Sequence, residues 1–313
     1  MPEKKVFDEN LRRQTLKQRI EDGSINNQKI WQFVKEFNSV DPGQLNKIAI
    51  VDSAREITYG QMFHEWEQYA RVFSALGITE ENHSRMAIVG TISAEPIFAY
   101  YAANMVGVAA SMFSYPDLLP GGRWKSMVEK EHITDMIISD IMVTPKMWQE
   151  LKKAQKEFDI KHIILLHSRM GGPSIGYGEM FYNEFNYNAL KRDSDVLMMD
   201  SLIEKYKDVP IKYGKDGGDA IAVICHTSGT SNGTRKPLPY TDRIVNSMAS
   251  GSPLGIPLAV SNGIMAGIEN AAQSGETGVP PMGVMGAGMP NVGPAGFDPG
   301  ELFKKDSEVN EFL

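Results

Sequence analysis

The chain has 313 residues, 42% of them hydrophobic and 23% charged, which is length for roughly two domains and apolar material for a sizeable core. A formal charge of −7 leaves no surplus of Lys and Arg for a phosphate backbone or an anionic bilayer, and so argues against nucleic-acid and membrane partners. One cysteine, Cys225, excludes an intramolecular disulfide, and the mixed-charge stretch from Met1 to Ser24 has no apolar leader core; both features suit a reducing, cytoplasmic setting.

In chain order, residues 1–44 form a helical lead-in. Ile48 to Tyr59 then predicts a hairpin of two short β runs about the polar turn Asp52-Ser53-Ala54-Arg55. Met62, Phe63, Trp66, Tyr69, Ala70, Phe73 and Leu76 recur at three- and four-residue steps, which predicts an amphipathic helix closed by Gly77. After the β run Met86–Gly90, Ser93 offers an N-cap for a helix with Glu95 and Pro96 in its first turn, reaching to about Gly107. Val108–Phe113, Asp135–Ser139 and His162–Leu166 are strand-like, with a helical stretch Lys146–Phe158 between the last two. Alternation of strand and helix points to an α/β fold with parallel sheets flanked by helices.

Lys152, Lys153 and Lys156 share their helix with Glu150 and Glu157, the pattern of a solvated face. Residues Met170 to Arg192 read as a loop excursion before the amphipathic stretch Met198–Lys207. The six histidines show no metal-ligand spacing and read as isolated surface or core side chains. Ile244–Ile268 is free of charge, but Pro253, Pro257 and its glycines reject a membrane span. Residues 251–300 hold 12 Gly, 7 Pro and three charges, so a poorly ordered tail over 251–313 is expected after a 45–250 core domain.

Chemistry concentrates between Ile221 and Leu238, where an apolar strand meets Thr227-Ser228-Gly229-Thr230-Ser231-Asn232-Gly233-Thr234-Arg235-Lys236-Pro237. Glycines after a buried strand let backbone N–H groups approach a phosphate, the hydroxyls add donors and Lys236 adds charge. The same composition also suits a flexible surface loop. Walker A is excluded, since Gly229 and Gly233 enclose three residues where that motif has four and Thr234 stands in place of its lysine. The Gly286-Ala287-Gly288 stretch lacks the third glycine of a dinucleotide fingerprint, where Asn291 stands.

Thr227-Ser228-Gly229-Thr230, with Ser231, Gly233 and Lys236 following, resembles the phosphate-binding signature of the AMP-binding, adenylate-forming superfamily, acyl-CoA synthetase type. The run is one residue longer than the usual one, and its proline follows the lysine. Upstream, Ile57-Thr58-Tyr59, the helix ending in Leu76-Gly77-Ile78, the strand Met86–Val89 and the Glu95–Phe113 helix and strand extend the likeness over residues 45–245.

The resemblance implies a ligase that binds ATP with Mg2+, activates a carboxylic acid as an acyl-adenylate and passes the acyl group to coenzyme A. It implies a loop of Thr227, Ser228, Gly229, Thr230, Ser231, Gly233, Thr234 and Lys236 on the β- and γ-phosphates. No copy of the family's later segments is found, Ser274–Gly278 being a poor match to its Thr-Glu segment. The expectation is therefore a truncated, incomplete ligase, with a separately encoded C-terminal portion as a partner. The alternative is a non-catalytic nucleotide-binding or interaction module derived from that family.

Overall fold

The computed structural model describes residues 14, 17–18, 21–23, 27–52, 55–90, 93–119, 121–167, 194–215, 217–227 and 235–250. The chain divides into a unit of residues 1–246 and a second of residues 247–313. The expected tail from residue 251 and the whole excursion at 170–192 lie outside the described residues.

Helix α1 (Ile30–Ser39) precedes an antiparallel pair, β1 (Ile48–Val51) and β2 (Glu56–Thr58). Helix α2 (Tyr59–Leu76) follows directly, because Thr58 and Gln61 form a capping box: Gln61 N donates to Thr58 Oγ1 at 3.3 Å and Thr58 N to Gln61 Oε1 at 2.9 Å. The helix ends where Gly77 takes a φ of 74°, a left-handed conformation that a side chain would strain.

The remainder alternates as the apolar pattern demands: β3 (Arg85–Val89), α3 (Glu95–Met105), β4 (Ala109–Phe113), α4 (Tyr115–Leu118), α5 (Trp124–Lys130), β5 (Asp135–Ser139), α6 (Pro145–Glu157) and β6 (His162–Leu166). Then come β7 (Leu197–Met198), α7 (Met199–Tyr206), β8 (Ile221–His226), β9 (Pro237–Thr241) and α8 (Asp242–Ser250). The seven-stranded sheet has the order β7-β6-β5-β3-β4-β8-β9.

Every adjacent pair through β8 is parallel, as expected, while β9 returns antiparallel along β8 and makes the sheet mixed. Pro237 and Pro239 hide β9 from a reading by strand propensity, yet proline is tolerated on an edge strand. A second correction concerns α3: its cap residue is Ala94, not Ser93, and the Ala94 N–H donates to Asp52 Oδ2, from the β1–β2 turn, at 3.3 Å.

Two layers of core sandwich the sheet. On one face Met86, Ile88, Ile137 and Ile164 meet Trp66 and Phe73 of α2, Phe98 and Ala102 of α3, and Leu202 of α7. On the other face Ala87, Val89, Met136 and Leu165 meet Trp124 and Val128 of α5 and Trp148 and Leu151 of α6. Trp66 stacks on Tyr101 with ring centroids 3.9 Å apart, locking α2 to α3.

Asp242 opens α8 and is wholly buried; its Oδ1 accepts from Ile30 N at 2.8 Å and from Asn104 Nδ2 at 2.9 Å, tying α8 to α1 and α3. Burial pushes its carboxyl above the usual range, against those two hydrogen bonds and the nearby Lys29 charge. A carboxyl raised by folding stabilises the native state below its unfolded pKa, and that contribution is lost as pH climbs through the folded value. In urea titrations between about pH 4 and about pH 8, Asp242→Asn is therefore expected to gain stability relative to wild type as pH rises. A difference that stays flat with pH would remove Asp242 from the linkage.

Candidate functional site

The packing of the helices locates a crevice. Strand β3 leads into α3 on one face, whereas neighbouring β4 leads through α4 to α5 on the other. Two adjacent parallel strands whose chains leave in opposite directions open a gap at their carboxyl ends, the usual ligand position in an open α/β sheet. Strand β8 lies beside β4 and parallel to it, so the Thr227–Lys236 segment emerges at that same edge.

The described residues flank the loop on both sides. Thr227 N donates to Lys236 O at 3.1 Å, and Lys236 N donates to Thr227 Oγ1 at 3.0 Å. This reciprocal clasp continues the β8–β9 ladder by one pair and closes the loop into a hairpin end. Of the expected site residues, the fold thus brings Thr227 and Lys236 together, with Lys236 exposed. Ser228, Gly229, Thr230, Ser231, Gly233 and Thr234 lie outside the described residues.

Several groups around the loop escaped the sequence reading. His226, the last residue of β8, has a side chain only 2% exposed; its Nε2 lies 2.7 Å from Glu131 Oε1 and its Nδ1 3.2 Å from Met112 O. Glu131 Oε2 accepts from the buried Ser111 hydroxyl, and Phe113 meets the imidazole edge-on with centroids 5.7 Å apart. On the far side of the loop, Arg235 Nε sits 3.1 Å from Asp117 Oδ1. Asp117 is itself buried at α4 and accepts from Ser114 N at 3.0 Å. No sequence signal pairs residues 95 or 118 positions apart.

The reading of isolated histidines is corrected in the same way. His162 Nδ1 lies 2.7 Å from Asp135 Oδ1 at the amino ends of β5 and β6, and His167 Nδ1 lies 2.8 Å from Asp140 Oδ2 just past their carboxyl ends. Among the described residues no group of three or more His, Cys, Asp or Glu side chains converges to hold a metal ion. Cys225 adjoins the loop, but burial raises its thiol pKa and leaves it a poor nucleophile. Lys153 pairs with Glu150 at 2.9 Å on an exposed helix face, as its charge pattern indicates. Beyond α4, an apolar hollow of about 570 Å³ is lined by Leu118, Trp124, Met147 and Leu151.

An open, mostly parallel α/β sheet flanked by helices on both faces defines the class of fold. The profile of the AMP-binding enzyme family matches residues 38–265, and the chain belongs to that family. Among curated proteins, none matches the sequence. The fold is similar to a benzoate CoA ligase from Burkholderia xenovorans LB400, at 16% identity and a TM-score of 0.44 over 69% of this chain and 35% of that one. It is also similar to the anthranilate CoA ligase AuaEII in complex with anthranoyl-AMP, at 15% identity and a TM-score of 0.47 over 70% of this chain and 35% of that one. A red-emitting luciferase from Phrixothrix hirtus gives 18% identity and a TM-score of 0.46 over 71% and 47%. The chain thus spans 35% of the length of each CoA ligase. No helix of the described residues is long and apolar enough to cross a membrane.

The clasp is directly testable. Thr227→Val keeps the branched shape and removes the acceptor for Lys236 N; a cost of about 1 kcal/mol is expected, together with faster hydrogen exchange at the Lys236 amide. Unchanged protection at that amide would show that the hydroxyl does not hold the loop closed.

Proposed function

We propose that the chain binds the polyphosphate of ATP in the Thr227–Lys236 loop and serves carboxylate activation of the acyl-CoA synthetase kind. The observation that carries this reading is the clasped hairpin end at the switch point, in a chain of the AMP-binding enzyme family. In such a reaction a substrate carboxylate oxygen bonds to the α-phosphorus as the bond to the β-phosphate oxygen breaks, and pyrophosphate leaves with the electron pair.

The chain's own contribution to that step is electrostatic. Donors of the loop and the exposed Lys236 ammonium would hold the β- and γ-phosphates and offset the charge that builds on the leaving group. The mixed sheet buries the root of β8, so the loop is presented on a rigid edge. Coenzyme A as acyl acceptor, Mg2+ as the companion of the phosphates and a carboxylic acid as the second substrate belong to this same proposal. The ligase and the non-catalytic module part on one measurement: pyrophosphate released in the presence of a carboxylate marks a ligase, and saturable ATP binding without it marks a nucleotide-binding module.

A pair of lysine substitutions tests the loop itself. Lys236→Ala is expected to weaken ATP binding by roughly tenfold or more, the value of a charge-assisted contact to phosphate of about 1.5–3 kcal/mol. Lys153→Ala, on the solvated face of α6, is expected to change it little. Equal losses in calorimetric titrations would replace a specific contact by a diffuse charge effect.

A further inference from the structure

The polypeptide that crosses from β4 to β5 carries two buried carboxylates, one engaging the residue before the loop and one engaging its closing end. Asp117, near its start, holds Arg235 at the closing end of the loop, and Glu131, near its end, holds His226 just before the loop. We propose that Glu131 is a positioning residue for the phosphate loop: through His226 it fixes the point at which the chain leaves β8, and so sets where Thr227 and, through the clasp, Lys236 stand. This inference rests on the nucleotide reading of the loop given above.

The geometry supports a positioning role over simple packing. Both oxygens of Glu131 are engaged, Oε1 with the imidazole at 2.7 Å and Oε2 with the Ser111 hydroxyl of β4, so the carboxylate cannot turn without losing a partner. Both nitrogens of His226 face oxygens as well, Glu131 Oε1 and Met112 O, and Phe113 closes the ring edge. The imidazole is thereby fixed against β4 and α5 in addition to its place in the sheet. The residue that follows it is Thr227, whose N–H and hydroxyl make the clasp. One rotamer change at Glu131 would therefore be transmitted through one side chain and one peptide unit to the mouth of the loop. In a low-dielectric surrounding such a network is rigid when every member is satisfied.

Glu131 does not touch the loop, so its effect has to be separated from a general loss of stability. The sheet supplies a matched control: Asp135 and His162 form a carboxylate–imidazole pair of the same 2.7 Å length at the amino edge, the opposite end of the strands from the loop.

The experiment compares Glu131→Gln, His226→Gln and Asp135→Asn in the full chain. It reads ATP affinity by calorimetry, hydrogen exchange at the Thr227 and Lys236 amides by NMR, and unfolding in urea. Glu131→Gln and His226→Gln are expected to speed exchange at those two amides and to weaken ATP binding, each by roughly tenfold. Asp135→Asn is expected to lower the urea midpoint while changing both quantities by less than about twofold. If the two amides keep their protection in both loop-side variants, or lose it equally in Asp135→Asn, Glu131 does not position the loop. If wild type fails to bind ATP while the amides respond as described, the positioning role stands and the nucleotide reading falls. Should Glu131→Gln not fold, His226→Gln decides the same question from the other side of the contact.

Discussion

Strand β3 has no face toward water. Met86 and Ile88 point to one layer of helices and Ala87 and Val89 to the other, all four fully buried, and this two-sided burial is the condition from which the rest of the molecule follows. A strand buried on both sides needs helices on both sides, and the chain can provide them only by leaving neighbouring strands in opposite directions. The gap that results between β3 and β4 is a by-product of core formation, and the glycine-bearing segment after β8 opens beside it.

What the sequence made readable was the part governed by local periodicity. The α2 stripe from Met62 to Leu76 lands in the core as a continuous face, and Asp135–Ser139 and His162–Leu166 coincide with β5 and β6. Gly77 marks its helix end because only a backbone without a side chain takes that φ without strain. The family was recognisable from the residue types between Thr227 and Lys236, and the family match over residues 38–265 agrees with that resemblance.

What stayed hidden depends on contacts distant in sequence. The cap position of α3 is Ala94, and its N–H donates to Asp52, a carboxylate delivered to the helix end by the hairpin turn. Strand β9 was concealed by its two prolines, whose cost depends on which way their nitrogens face. The Glu131–His226 and Asp117–Arg235 pairs were invisible for the same reason: acids and bases on separate elements have no common period, and only the crossing from β4 to β5 brings them together. The residues flanking the Thr227–Lys236 segment thus meet carboxylates, each of which is already committed to a cation or hydrogen-bond donor.

The pairing of β9 with β8 decides the character of the sheet's border. Lys236 turns both its N–H and its carbonyl toward Thr227, so alternation turns the nitrogens of residues 237 and 239 outward. Both residues are proline. Along the outer rim of β9 residues 237 and 239 offer no hydrogen-bond donor to an incoming strand, although Leu238 is 40% exposed and the strand is otherwise extended. A neighbouring chain seeking to extend the sheet would find carbonyls without the matching N–H groups at these two positions, which disfavours edge-to-edge pairing at the border nearest the loop.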